Sequence, residues 1–155
     1  LRVMASVDGL TVGAGTVLTR EQADAAIDAG ARFLVSPGWE PALAAYVRDI
    51  DVPLIPGVAT PSEALAARAA GCSRLKLFPI ATLGGVAFID ALTAVFPDVT
   101  FVPSGGIRSD QAREYLSRPS VDTICGSWMA PRTMVTAGDF AGVTEASRAA
   151  VEAIA

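Results

Sequence analysis

Pro53-Leu54-Ile55-Pro56, followed closely by Thr60-Pro61-Ser62-Glu63, is the stretch from which the fold can be read. The first four residues are a short apolar run bounded by prolines, the signature of a strand. In the second four, Thr60 at the N-cap, Pro61 at N1 and Glu63 at N3 make a capping-box pattern, so a helix begins there. A strand that feeds a helix across so short a turn is one βα unit, the building block of a parallel sheet.

The same alternation recurs on both sides of it, giving six units in the chain. Upstream, a strand near Leu10 to Gly15 precedes a helix from Arg20 to Ala29, capped by Thr19 and closed by Gly30. Arg32 to Ser36 then precedes a helix from Pro41 to Arg48. Downstream, Arg74 to Phe78 leads to a helix near Val86 to Phe96, and Thr100 to Pro103 leads to one from Ser109 to Leu116. Asp122 to Cys125 is the last strand, followed by a loop and a C-terminal helix from Phe140 to Ile154. Asp28-Ala29-Gly30-Ala31-Arg32-Phe33-Leu34 echoes Ala69-Ala70-Gly71-Cys72-Ser73-Arg74-Leu75: each sets a helix-ending glycine before an apolar strand. No linker or low-complexity segment divides the 155 residues, which read as a single domain.

With 52% hydrophobic and 18% charged residues, the chain has the makings of a large core. A net charge of -4 argues against nucleic acid or an anionic membrane as partner, because both favour a basic face. No histidine is present, which removes histidine triads and the usual His/Cys zinc sites. Cys72 and Cys125 stand 53 positions apart and read as buried thiols of a cytoplasmic protein. Neither a membrane span nor a secretory signal pattern is seen. The first residue is leucine, from which a longer protein is expected.

Among 12 cationic side chains one is lysine, Lys76, set in Leu75-Lys76-Leu77-Phe78-Pro79. Desolvation penalises an ammonium, and only the neutral amine attacks a carbonyl to form a Schiff base, so a lysine on an apolar strand is a candidate nucleophile. A coding preference for arginine, with Lys76 snorkelling from a sheet edge, is the plainer alternative.

Glycine and serine gather after the strands, at Gly13-Ala14-Gly15-Thr16, Ser36-Pro37-Gly38, Pro56-Gly57, Ser104-Gly105-Gly106 and Gly126-Ser127. The last two follow the last two strands, where phosphate commonly binds in a barrel of βα units. Glycine lets backbone N–H groups approach an anion and serine adds a hydroxyl donor. The same residues also serve ordinary turns. Gly13-x-Gly15 lacks the third glycine and the later acidic residue of a dinucleotide fingerprint, so NAD is discounted. Asp24, Asp28, Glu63, Asp90, Asp110 and Glu114 fall on helix starts or solvated helix faces, and none marks a strand end as a general base. Trp39 and Trp128 read as packing aromatics, with a pocket wall as the alternative. From these residues alone a Schiff-base lyase, an inert binding or assembly module and another phosphate-binding barrel enzyme all stay open.

The ordered set Gly13-Ala14-Gly15-Thr16-Val17, Ser36-Pro37-Gly38, Pro53-Leu54-Ile55-Pro56-Gly57, Lys76-Leu77-Phe78-Pro79, Pro103-Ser104-Gly105-Gly106-Ile107 and Gly126-Ser127-Trp128 resembles the 2-dehydro-3-deoxyphosphogluconate (KDPG) and 4-hydroxy-2-oxoglutarate (KHG) aldolase family of class I aldolases. The resemblance spans nearly the whole chain. It implies a (β/α)8 TIM barrel, here lacking the first two βα units, in a cytoplasmic homotrimer that needs no metal and no other cofactor. The implied reaction cleaves KDPG to pyruvate and glyceraldehyde 3-phosphate, and KHG to pyruvate and glyoxylate. By motif, Lys76 is the Schiff-base lysine, Thr16 holds the pyruvate carboxylate, and Pro56 and Phe78 line the pocket. Ser104, Gly105, Gly106, Gly126 and Ser127 are implied to bind the substrate phosphate.

Four positions depart from the family pattern: Ile80-Ala81 stands for the usual Ala-Glu after the lysine motif, Ser104 for a threonine, and Cys125 for a glycine. The family's proton-shuttling glutamate and carboxylate-binding arginine are expected in the N-terminal strands this sequence does not include.

Overall fold

The computed structural model describes residues 1–154. Strands β1 (Gly13–Gly15), β2 (Phe33–Val35), β3 (Leu54–Ile55), β4 (Gly57–Val58), β5 (Arg74–Leu77) and β6 (Thr100–Pro103) are joined by helices. These are α1 (Arg2–Ala5), α2 (Arg20–Asp28), α3 (Pro41–Asp49), α4 (Pro61–Ala69), α5 (Ile80–Leu83), α6 (Val86–Val95), α7 (Ala112–Leu116), α8 (Arg132–Ala137) and α9 (Phe140–Ile154). The molecule is an α/β protein, and it packs as two compact units. One comprises Leu1–Phe78 with Asp98–Thr100; the other comprises Pro79–Pro97 with the residues from Phe101 onward.

In the first unit β1, β2 and β3 pair in parallel and in chain order, with Gly15, Val35 and Ile55 level with one another. Pro56 separates β3 from β4 because proline has no N–H to give the ladder. The residues around it nevertheless form one extended segment. Leu34 and Ser36 donate to Pro53 and Ile55 on one side, and Lys76 and Phe78 donate to Pro56 and Val58 on the other. Thr100, which opens β6, bonds to the Ser73 carbonyl at 2.8 Å, and Asp98 beside it is paired with Arg68.

Helices α2, α3 and α4 of this unit are each nine residues long, begin 20 to 21 residues apart, and end alike. Past α2, Gly30 takes φ 95° and Ala31 donates back to Ala26; past α4, Gly71 takes φ 94° and Cys72 donates back to Ala67. The echo read in the sequence is thus a repeated Schellman-type close. A third copy was hidden. Past α3 the left-handed residue is Asp51, φ 56°, with Val52 donating back to Val47. At the other end the caps differ in residue type but act alike: the side chains of Thr19, Glu40 and Thr60 accept the N–H of Gln22, Leu43 and Glu63. Such a cap contributes about 1 kcal/mol. Glu63 reaches back to the N–H of Ala59 at 2.7 Å, completing the expected box one residue early.

In the second unit the expected helix from Ser109 begins as a 3-10 turn, Ser109–Gln111, before α7. Helices α5 and α8, closed by Gly84 and Gly138 at positive φ, occupy segments the sequence pattern left as loop. The sixth strand is reduced to two parallel bridges, Phe101 with Val121 and Ser104 with Cys125. Three steps on one side face four on the other, so one residue of 121–125 is extra. That bulge breaks the regular ladder.

Candidate functional site

All strands of the first unit point the same way, so the segments after β1, β2, β4 and β5 gather at one edge of the sheet. Leu75 and Leu77 are fully buried. Strand side chains alternate, and Lys76 and Phe78 therefore share the opposite face. The Lys76 Nζ lies 4.7 Å from the centre of the Phe78 ring, a cation–π contact, with Lys76 half-buried and the ring 37% exposed. Buried Pro56 is held beside Lys76 by the 2.8 Å bond from the Lys76 N–H. The lysine is thus aimed by a strand that cannot rotate without uncovering two leucines, each worth about 1.5–3 kcal/mol of burial.

At the same edge Thr16 is exposed and holds φ 61°, a left-handed conformation that a β-branched residue rarely takes. Strain of this kind gathers at functional positions. The chain then continues through Val17, whose N–H bonds to the Val35 carbonyl. Two of the glycine motifs here have a packing reason. A Cβ on Gly13 would lie 2.2 Å from the Phe33 ring, and one on Gly57 would lie 2.3 Å from the Pro37 backbone. The Ser36-Pro37-Gly38 turn rests on Gly57, closed by the buried Ser36 hydroxyl donating to the Gly38 carbonyl at 2.8 Å.

In the second unit, β6 and the bridged segment 121–125 run parallel, so Ser104-Gly105-Gly106 and Gly126-Ser127 leave at the same end. Gly105 and Gly106 take φ 92° and 81° in succession. The Ser104 and Gly105 carbonyls accept from Ile80 and Ala81, the first two residues of α5, at 2.8 and 3.1 Å. Ser104 is buried and Ser127 is exposed. Gly126 has a second reason to be glycine that the sequence did not disclose: the Trp128 ring folds over it, 1.8 Å from where a Cβ would sit. Trp128 and Trp39 are both partly buried.

The six carboxylates noted in the sequence lie on helices or at their starts, as read. Asp24 accepts from the Tyr46 hydroxyl, Asp90 pairs with Arg118, and Asp110 pairs with Arg108. The cysteines correct the sequence reading. Cys72 is only partly buried, and burial pushes its thiol up, away from thiolate character. Cys125 is exposed, while Ile124 and Gly126 on either side of it are partly covered. Among the described residues no cluster of His, Cys, Asp or Glu is grouped to hold a metal, and no helix is long and apolar enough to cross a membrane. A cavity of about 630 Å³ bordered by Leu10, Thr11, Gly30 and Arg32 opens at the N-terminal edge of the strands, away from Thr16 and Lys76.

The fold is α/β, with a lysine near the C-terminal end of one strand and, in the other unit, a twin-glycine turn at the end of another. The chain belongs to the KDPG and KHG aldolase family, whose model matches residues 1–146. It is 44% identical over 143 residues to 2-dehydro-3-deoxy-phosphogluconate aldolase of Treponema pallidum, covering 92% of this chain and 68% of that one. Among solved structures, the Legionella pneumophila KDPG aldolase, with pyruvate captured as a covalent carbinolamine intermediate, superposes with a TM-score of 0.87. It is 39% identical over 92% of this chain and 69% of its own. The 2-keto-3-deoxy-6-phosphogluconate aldolase of Zymomonas mobilis, solved with 3-phosphoglycerate, gives a TM-score of 0.87 at 36% identity, covering 99% of this chain and 71% of that one. The chain spans about two thirds of the length of the curated relatives it matches.

Proposed function

We propose that the whole protein is a class I aldolase that cleaves 2-dehydro-3-deoxy-6-phosphogluconate to pyruvate and glyceraldehyde 3-phosphate, and KHG to pyruvate and glyoxylate. The observation that carries this reading is Lys76, fixed on β5 between two buried leucines with its amine against Phe78. In the proposed cycle the Nζ adds to the C2 carbonyl and water leaves, giving an iminium. The C4 hydroxyl gives up its proton to solvent water, the C3–C4 bond breaks, and its electron pair moves into the C2–C3 bond while the iminium nitrogen recovers its own. Aldehyde departs, C3 is reprotonated, and water releases pyruvate and Lys76. The Phe78 ring stabilises the developing cation from its face, the Thr16 hydroxyl takes the carboxylate, and Pro56 walls the imine.

We assign the phosphate to the amides of Gly105, Gly106 and Gly126 and to the hydroxyls of Ser104 and Ser127. Gly105 and Gly106 both take positive φ in the turn after β6, which leaves a backbone free of side chains for an anion to approach. The parallel, chain-ordered strands with a 20 to 21 residue helix repeat support a share of a (β/α)8 barrel, the 155 residues forming one domain of it. A homotrimer is proposed on the family resemblance, and light scattering of the purified protein tests it. An inert binding module is the less favoured reading, since the relatives carry aldolase names.

The decisive experiment is incubation with pyruvate and borohydride followed by intact mass and peptide mapping. The reading requires a reduced adduct on Lys76 that is absent in Lys76→Arg. An adduct elsewhere, or turnover retained by the folded arginine variant, removes Lys76 from the reaction.

A further inference from the structure

The carbonyls of Ser104 and Gly105 are tied to the first turn of α5, and Gly106 is pressed against the same turn. Ile80 donates to Ser104 at 2.8 Å and Ala81 to Gly105 at 3.1 Å. Gly106 holds φ 81°, and a Cβ built on it would fall 2.6 Å from the Cβ of Ala81. Ile80 is fully buried, so the turn it opens is anchored in the core. Each peptide unit points its C=O and its N–H in opposite directions. Fixing the Ser104 and Gly105 carbonyls toward α5 therefore directs the amides of Gly105 and Gly106 away from it. Glycine at 106 is the condition for that close approach, because a side chain there would collide with the Cβ of Ala81 and force the turn or α5 to shift.

From this geometry we propose that Ala81 is a positioning residue for the phosphate end of the substrate: it does not touch the anion but, with the α5 amides, sets the conformation of the twin-glycine turn that does. This rests on the assignment of that turn as the phosphate site. Specificity between phosphorylated and unphosphorylated substrates then depends in part on a residue outside the binding surface.

The test is a double-mutant cycle in the whole protein with Gly106→Ala, Ala81→Gly and both together. KM and kcat are measured for KDPG and for unphosphorylated KHG, with inorganic phosphate as competitor. Gly106→Ala should raise the KM for KDPG roughly tenfold, as a strained left-handed alanine with a clash would, and weaken inhibition by phosphate. The kinetics with KHG should stay nearly unchanged. Adding Ala81→Gly should restore part of the lost KDPG affinity, the φ strain accounting for the remainder. Thermal midpoints separate general unfolding from these effects, and the A81G variant serves as a folded control.

Two results overturn the proposal and are told apart. If Gly106→Ala weakens KDPG and phosphate selectively but Ala81→Gly recovers nothing, the coupling to α5 is wrong and the phosphate assignment stands. If both substrates are affected equally, or phosphate inhibition is unchanged, the turn is not the phosphate site and the proposal falls with that assignment.

Discussion

The amine of Lys76 stands over the face of Phe78, two residues on and just past the end of β5, at 4.7 Å from the ring centre. Strand periodicity puts both side chains on one face, and burial of Leu75 and Leu77 on the other keeps them there. A ring face stabilises a cation by about 0.5–1 kcal/mol at an exposed site. Phe78→Leu preserves apolar bulk but removes the π-face. It is expected to slow borohydride-trapped adduct formation with pyruvate by about two- to fivefold. An unchanged trapping rate would show that the ring serves only to fill space.

Thr16 is strained at φ 61° in a position proposed to meet the substrate carboxylate. Thr16→Gly relieves strain of about 1–3 kcal/mol and adds about 0.5–1 kcal/mol of unfolded-state entropy cost. The urea midpoint is therefore expected to hold or rise, while loss of the hydroxyl lowers kcat/KM by about tenfold. A fall in both would make Thr16 a structural residue.

Asp51 occupies the left-handed position that Gly30 and Gly71 fill after the neighbouring helices. Asp51→Gly should stabilise the fold by about 0.5–1 kcal/mol, since glycine takes this conformation without the Cβ penalty. Activity should be untouched, because Asp51 lies past α3 and outside the proposed site. Equilibrium denaturation checks the gain.

Asp98 is held below the usual carboxylate value of 3.8, first by the hydrogen bond from Arg68. A depressed folded-state pKa gives stability that is present above 3.8 and lost as pH falls through the folded value. Asp98→Asn is thus expected to lower the melting temperature slightly above 3.8, the effect being small because the pair is exposed, and to converge with the parent as the parent carboxylate protonates, so that the variant's acid-side decline is flatter. An identical acid profile in the variant would show that the pair contributes nothing.

The helices of the first unit were legible because their signals are local. Thr60, Pro61 and Glu63 set a start, and Gly30 and Gly71 set two ends, through bonds that span three to five residues. Lys76 was legible as an oddity of composition, and Thr16 by its motif. The end of the third helix was read to within a residue, but its left-handed close was not, because Asp51 does by tertiary constraint what glycine does by freedom. The short α5 carries no pattern of its own, and the segment read as the last strand carries no sign of its bulge; both take their form from bonds to β6 and the turn after it.

The sequence by itself determined the alternation of strand and helix, the caps that bound them, and the chemistry available at Lys76, since these depend on residues close along the chain. Only the tertiary structure decided that Gly13 yields to Phe33, Gly57 to Pro37, Gly106 to Ala81 and Gly126 to Trp128. Three of these four contacts join segments at least 20 residues apart. Close packing leaves no room for a Cβ there, and a one-dimensional pattern cannot register a collision in space.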